Sequence, residues 1–242
     1  MYRDGQGYTL LTDGLGWFGI DPGQGSIVMS TASEAIRREV GLWGIPAALC
    51  AIHGGDLPIH AAAVEVNGSA LLLAAPGHFG KTTLAAAFVR AGYRVLAEDF
   101  TFCRSSSRIS VLPGPSLLRI RSDVFERMTI PDTQLVWQSM GRAFLVPNES
   151  RRGNSAPVPL RAIVFLRSSP GSIRLDRVPV AQALRDLWSL SFMLPTDEDR
   201  ARCFLSLGEL VRTVPAWDLH RPLELGLLDR TVETVTSVCN ER

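Results

Sequence analysis

Lysine is almost absent from this 242-residue chain: of 25 Lys plus Arg residues, 24 are arginine, and the single lysine is Lys81. Long apolar runs are missing too. Stretches such as 69–76 (SALLLAAP) fall far short of the roughly 20 residues that cross a bilayer. The opening segment, MYRDGQGYTLLTDG, lacks the charged-then-apolar layout of a signal sequence. Neither sign of charge dominates, since 25 basic residues face 24 acidic ones for a net charge of +1. That balance argues against a dedicated nucleic-acid surface. The four cysteines (Cys50, Cys103, Cys203 and Cys239) form no C-x-x-C pair, which excludes the common zinc and redox motifs. They read as reduced thiols of a cytoplasmic protein. What remains is a chain 46% apolar and 20% charged, long enough to bury a full core, with neither membrane nor nucleic acid as a partner. A GC-rich genome accounts for arginine in place of lysine. The surviving lysine therefore marks a place where arginine does not serve.

That place is 71–88, LLLAAPGHFGKTTLAAAF. Upstream, GWFGID and SIVMS read as short strands, and SEAIRREVGLWG as a helix with Ser33 as its cap. Asn67-Gly68 between two apolar runs is a strong hairpin signal. KTTLAAAFVRAG reads as a helix closed by Gly92, and YRVLAEDFTF as a strand ending in two carboxylates. Residues 102–121 read as short strands around a Pro-Gly-Pro turn, followed by a short helix at SDVFERM. Turn formers fill 146–159 (VPNESRRGNSAPVP), which reads as a mobile loop. LRAIVFLR and SIRLDRV then read as strands, and VAQALRDLWSLSF, DEDRARCFLSLGELVRTV and LGLLDRTVETVTSV as helices. The simplest organisation is one α/β domain over 1–242. It comprises N-terminal strands and a helix (1–56), a nucleotide-binding core (57–170) and a mainly helical C-terminal part (171–242).

A strand, a glycine-bearing loop and Lys-Thr opening a helix is the layout of a phosphate-binding loop. Its amides, from Gly77, His78, Phe79, Gly80, Lys81, Thr82 and Thr83, would face the phosphates. The compact Lys81 ammonium would reach the β- and γ-phosphates, which a wide planar guanidinium does poorly. The Thr82 hydroxyl would ligate Mg²⁺ held by the nucleotide. The full pattern, G-x-x-x-x-G-K-[ST], begins with glycine, whereas here the first position is Ala75. Gly77, two residues on, supplies the flexibility. A chance Gly-Lys-Thr at a helix start is the alternative.

Two further features stand near that loop. Glu98 and Asp99 end a strand, and parallel strands of such a fold end on the edge that carries the loop. A carboxylate there holds Mg²⁺ or accepts a hydroxyl proton, the alternative being a solvated strand end. Strand alternation predicts that only one of the pair faces the nucleotide. His60 opens the apolar strand IHAAAVEV. Taken alone, a histidine so placed is more often structural than catalytic. His78 inside the loop reads as a tolerated loop residue. Arg119, Arg121, Arg151 and Arg152 read mostly as surface charge, able to meet an acidic peptide or a phosphate.

The string IHAAAVEVNGSALLLAAPGHFGKTTLAAAFVRAGYRVLAEDFTF resembles the catalytic core of the HPr kinase/phosphorylase family. There a His-bearing strand, a hairpin, a phosphate loop, a helix and an acidic strand end follow in the same order. The resemblance spans 57–104. LPGPSLLRIRSDVF, GRAFLVP, VPLRAIVFL and TVPAWDLHRPLELGLL extend it to a branch of HPr-kinase-like proteins associated with lasso-peptide and other ribosomal-peptide biosynthesis. The resemblance implies an α/β fold of the HPr kinase and phosphoenolpyruvate carboxykinase type, a mixed sheet carrying the loop with helices after it. It implies ATP and Mg²⁺, with a serine hydroxyl on a precursor peptide as acceptor, and a possible homo-oligomer. Lys81, Asp99 and His60 are the catalytic residues it implies, Asp99 deprotonating the acceptor and His60 assisting. Thr82, Glu98 and Asp99 are the metal residues, and Gly77 to Thr83 hold the nucleotide. The family usually carries Asp-Asp where this chain has Glu98-Asp99. Two other readings stand beside it: a non-catalytic nucleotide-binding accessory protein, and a kinase of a small-molecule hydroxyl.

Overall fold

Asn67 and Gly68 both take left-handed backbone angles, φ 51° and 73°, the requirement of the tight two-residue hairpin turn that Asn-Gly predicts. The turn joins β5 (Leu57–Val66) to β6 (Ser69–Ala74) in antiparallel register, with Ala61 opposite Ala74 and Val66 opposite Ser69. No atom lies within 4 Å of a side chain added at Gly68, so substitution there meets only backbone strain. Gly68→Ala is expected to cost about 1 kcal/mol in urea unfolding.

The structure, a computed structural model, describes residues 1–5, 7–12, 16–30, 34–115, 117–148, 155–194 and 196–239. The fold is mixed α/β, with β5 and β6 at the centre of an eight-stranded mixed sheet. Parallel to β6 run β13 (Val158–Ser168) and, beyond it, β15 (Ala216–Arg221), while β14 (Arg174–Arg177) pairs antiparallel at the edge. On the other side β5 is shared. Its first half pairs with β8 (Phe100–Arg104) and its second with β7 (Arg94–Ala97). Strand β9 (Ser110–Leu112) pairs with β8 and also with the start of β13. The ring of pairings β5–β8–β9–β13–β6 therefore closes on itself. The other strands form two small antiparallel sheets. One holds β1 (Tyr2–Asp4), β2 (Gly7–Thr12), β3 (Gly16–Asp21) and β4 (Ser26–Met29), and the other holds β10 (Leu118–Arg121), β11 (Thr133–Ser139) and β12 (Arg142–Pro147).

Both faces of the main sheet are buried, so its central strands are apolar throughout and not alternating. On β6, Leu71 and Leu73 join one core while Ala70, Leu72 and Ala74 join the other. Each fully buried leucine there contributes about 1.5–3 kcal/mol over an exposed one. Helix α3 (Lys81–Arg90) and α7 (Leu228–Thr236) cover the first face, with α3 also packed on β10. Helices α5 (Val180–Leu190) and α6 (Asp197–Thr213) cover the second. A third, smaller core joins the N-terminal sheet to α2 (Ile45–His53) through Tyr8, Phe18, Ile20, Leu49 and Ile52. Preceding α2 is α1 (Ala35–Leu42), with Glu34 at the N-cap position but no side-chain capping bond; the expected cap Ser33 lies outside the described residues, as do 149–154 of the expected loop and with them Arg151 and Arg152. The short helix at 122–125 is α4 (Ser122–Phe125). Among the described residues no helix is long and apolar enough to cross a membrane.

The stretch YRVLAEDFTF is two strands and not one. β7 stops at Ala97, and β8 begins at Phe100 after Asp99 turns to φ 75°. The C-terminal part also holds β14 and β15 beside its helices.

Candidate functional site

Strands β6, β7, β13 and β15 run in one direction and end along one edge of the sheet. From that edge the loop 75–80 leads out of β6 into the first turn of α3. His78 (φ 68°) and Gly80 (φ 78°) carry the left-handed turns, whereas Gly77 does not. Ala75 is buried in the core under the loop, while Pro76, Gly77 and His78 are exposed above it. Phe79 and Gly80 are half-buried, as are Thr82 and Thr83 in the first turn of α3.

Lys81 is 8% exposed. Its Nζ donates to the carbonyls of Ala75 at 2.7 Å and Pro76 at 3.1 Å and lies 3.0 Å from His60 Nε2. An ammonium only donates, so His60 accepts at Nε2 and carries its proton on Nδ1. That nitrogen lies 3.3 Å from Asp99 Oδ1. Burial lowers the Lys81 ammonium below its usual range, with Asp99 and Glu98 pulling it back. Burial, then the neighbouring Lys81 charge, lowers the His60 imidazole, which favours its neutral form.

The two acids meet on a residue of the small sheet. Arg119, on β10, donates through Nε to Glu98 Oε2 at 2.9 Å and through Nη2 to Asp99 Oδ2. The other Glu98 oxygen accepts from the Thr82 hydroxyl. With its side chain 6% exposed, Glu98 is pushed upward in pKa by burial, and Arg119 and Thr82 offset this only in part. Burial opposes the charge of Arg119, yet Glu98 and Asp99 together hold its guanidinium above the ordinary arginine range. The expectation that one acid of the pair faces the site gives way here. Because Asp99 lies outside any strand, its side chain and that of Glu98 converge on a single guanidinium.

Lys81, Thr82, His60, Glu98 and Asp99 thus form one connected set, with the loop residues 77–80 and Thr83 beside it. His78 is in the loop but exposed. Arg121 pairs with Asp123 on the surface, away from the set. Sequence reasoning set Arg119 among surface charges. Its signal was its place between the buried Leu118 and Ile120 of a short strand, which turns it to the opposite face. Arg221, at the end of β15, gave no signal. It is 2% exposed and lies under the loop.

Thr82, Glu98 and Asp99 offer hard oxygen donors, the type Mg²⁺ takes with only one or two carboxylates when phosphates supply the rest. Among the described residues no cluster of three or more His, Cys, Asp or Glu could hold a metal ion without such help. The contact of the Thr82 hydroxyl with the buried Glu98 carboxylate at the head of α3 fits a nucleotide-bound Mg²⁺.

Beside Asp99 and Arg119 opens a small cleft of about 60 Å³, walled by Val40 and Trp43 from α1 and its C-terminus and by Pro115 and Leu117. The Trp43 indole N–H donates to Glu39 at 2.8 Å, fixing the ring on that wall.

No protein-family profile matches this chain, and no curated protein sequence does. Among solved structures, the Hpr(Ser) kinase/phosphatase from Coxiella burnetii matches over 76% of this chain and 99% of its own, at 10% sequence identity and a TM-score of 0.39. The geometry of the Lys81, His60, Glu98 and Asp99 cluster stands independently of that similarity.

Proposed function

We propose that this chain is an ATP-dependent phosphotransferase that moves the γ-phosphoryl group of ATP to a hydroxyl, the acceptor being a serine of a ribosomally made precursor peptide. One observation carries the reading: a lysine, a hydroxyl, two acids and a histidine from β5, α3 and the β7–β8 turn meet at one sheet edge, at a loop that opens a helix. Phosphoryl transfer asks chiefly for positioning and for neutralised charge, and this set supplies both. The α3 N-terminus and the loop amides receive the phosphate oxygens. Lys81 exchanges its loop carbonyls for the β- and γ-phosphates. Thr82 and Glu98, with Asp99 alongside, would hold Mg²⁺, which neutralises charge on the phosphates when bound.

Asp99 sits where the nucleotide edge meets the cleft. It accepts the serine proton as the hydroxyl oxygen forms its bond to the γ-phosphorus and the bond to the departing ADP breaks. His60, neutral and with Nδ1 beside Asp99 Oδ1, stands between the Asp99 carboxylate and the Lys81 ammonium. Arg119 lies beside both acids, where it offsets negative charge between them and the phosphates.

The cleft is where the acceptor enters. Trp43→Ala is expected to raise the acceptor KM about tenfold, the loss of one aromatic wall, and to leave the KM for ATP unchanged. Initial-rate kinetics with each substrate varied in turn checks this. A rise in both constants would place Trp43 outside the acceptor path.

The test of the function itself is incubation with ATP and Mg²⁺, with and without serine-bearing peptides, read as ADP release and as a peptide mass increase of one phosphate. Transfer to peptide supports the proposal. Transfer only to small hydroxyl compounds would replace the peptide by a small-molecule acceptor. The bonds of Arg119 to both acids favour one other reading, an accessory protein that binds nucleotide without turning it over. Nucleotide binding with no transfer to any hydroxyl would establish that reading. The absence of nucleotide binding would overturn both.

A further inference from the structure

Two cations are buried against the loop 75–80, and both hold its backbone carbonyls, Lys81 donating to His60 Nε2 as well. Lys81 holds the first two carbonyls, of Ala75 and Pro76. Arg221 reaches the last two, its Nη2 lying 3.3 Å from Phe79 O and 3.4 Å from Gly80 O. Its Nη1 lies 3.4 Å from Pro222 O, and its buried Nε has no partner. At 2% exposure Arg221 is the largest fully buried side chain among the described residues. Among the described residues no carboxylate pairs with it, whereas Arg119 and Arg167 each bridge two acids. A buried charge left without a counter-charge is costly to the folded state. Burial accordingly lowers the Arg221 guanidinium to about 10.

We infer that Arg221 is the second cation of the phosphate loop, a positioning residue whose missing counter-charge is the polyphosphate chain of the ligand. The inference rests on the nucleotide-binding reading above and deepens it. The geometry supplies the reason. In a trans peptide the C=O and the following N–H point in opposite directions. Holding the Phe79 and Gly80 carbonyls toward Arg221 therefore turns the Gly80 and Lys81 amides the other way, toward the ligand side of the loop. Gly80 is shaped to this neighbour. A Cβ there would lie 2.8 Å from Arg221 Nη2, on a backbone at φ 78°.

Thermal unfolding of the wild-type chain, Arg221→Met and Arg221→Lys, with tripolyphosphate and ADP titrated in the presence of EDTA, tests the inference. A ligand of the folded state raises Tm with the logarithm of its concentration above Kd. Arg221→Met is expected to need at least about tenfold more tripolyphosphate for the same rise, because the Gly80 and Lys81 amides that would bond the phosphates are no longer held toward the ligand. Its unliganded Tm is expected to equal or exceed that of wild type, because a desolvated charge has gone. Arg221→Lys, which keeps the charge but not the fork, falls between. A purely structural arginine would give the reverse pattern, a lowered unliganded Tm with unchanged affinity, and that result overturns the inference. If Arg221→Met does not fold, Gly80→Ala reports instead, since it displaces the guanidinium without deleting it. Wild-type affinity in that variant also overturns the inference. A wild-type chain that responds to neither probe, nor to ATP with Mg²⁺, removes the nucleotide reading and this inference together. A responsive wild type with an equally responsive Arg221→Met removes this inference alone.

Discussion

Asp99→Asn is expected to lower phosphoryl transfer about 10³-fold, the mid-range worth of a positioned general base, and to leave nucleotide binding in place. An amide cannot take the hydroxyl proton, yet it fills the same space beside His60 Nδ1. Asparagine also tolerates the left-handed backbone that residue 99 adopts at φ 75°, so the turn between β7 and β8 survives. The Arg119–Asp99 pair is lost, but with the Asp99 side chain 35% exposed solvent screens it, and the cost stays under about 1 kcal/mol. Single-turnover rates with saturating ATP, set beside the ATP-induced rise in Tm, separate the two effects. Lys81→Ala serves as the contrast, losing both binding and rate. An Asp99→Asn enzyme that turns over at the wild-type rate would remove Asp99 from the chemistry and move the base to Glu98 or to solvent.

Arg119→Met is the substitution with the largest expected effect on stability. It strips the shared partner from two carboxylates, one of them almost fully buried, and a broken buried pair costs about 3–5 kcal/mol. The loss should depend on pH in a defined sense. Burial already pushes the Glu98 carboxyl upward, and Arg119 is the largest influence pulling it back. Without Arg119, Glu98 in the folded chain takes up its proton at a still higher pH, while in the unfolded chain it titrates near the ordinary glutamate value of 4.5. As pH falls from neutrality toward that value, the folded state of the variant binds a proton that the unfolded state does not, and stability returns. Urea unfolding at pH 8 and at pH 5.5 should show the larger deficit at pH 8. Equal deficits at both would mean that Arg119 acts by filling space and not by charge. Arg119→Lys keeps one charge but not the two-pronged geometry and should recover only part of the loss.

The parts of the fold that sequence made legible are the local ones. Asn67-Gly68 specifies its turn within two residues, and Lys81 opens a helix whose alanines and leucine favour it and which closes before Gly92. Helix α2 went unread although Pro46 near its start was the available signal. The apolar run IPAALCAIH carries little amphipathic contrast, because α1, β3, β5 and β8 all pack against it. Strand β15 is fixed by partners far away in sequence, so no short window announces it, whereas the β11–β12 hairpin, closed by Met140-Gly141 at φ 51° and 72°, is local and went unread. The candidate site divides in the same way. Lys81, Thr82, His60 and the acidic pair were visible as residue types in a stretch of about forty residues. Arg119 and Arg221 come from distant strands and were not. The convergence of both acids on Arg119 was invisible too, because it depends on one positive φ at Asp99.

Strand β15 brings one more consequence, for the order in which the molecule is made. It lies parallel beside β13, and its last residue reaches under a loop 141 positions earlier in the chain. Domains emerge from synthesis N-terminus first, at about 5–20 residues per second, so the loop at 75–80 exists for several seconds before residues 216–221 arrive. During that interval α3 and the central hairpin can pair, but the loop has no floor. A nucleotide in the cell can reward only the finished sheet, so ligand-assisted folding would act as a late proofreading step on the C-terminal strand and not as an early nucleus.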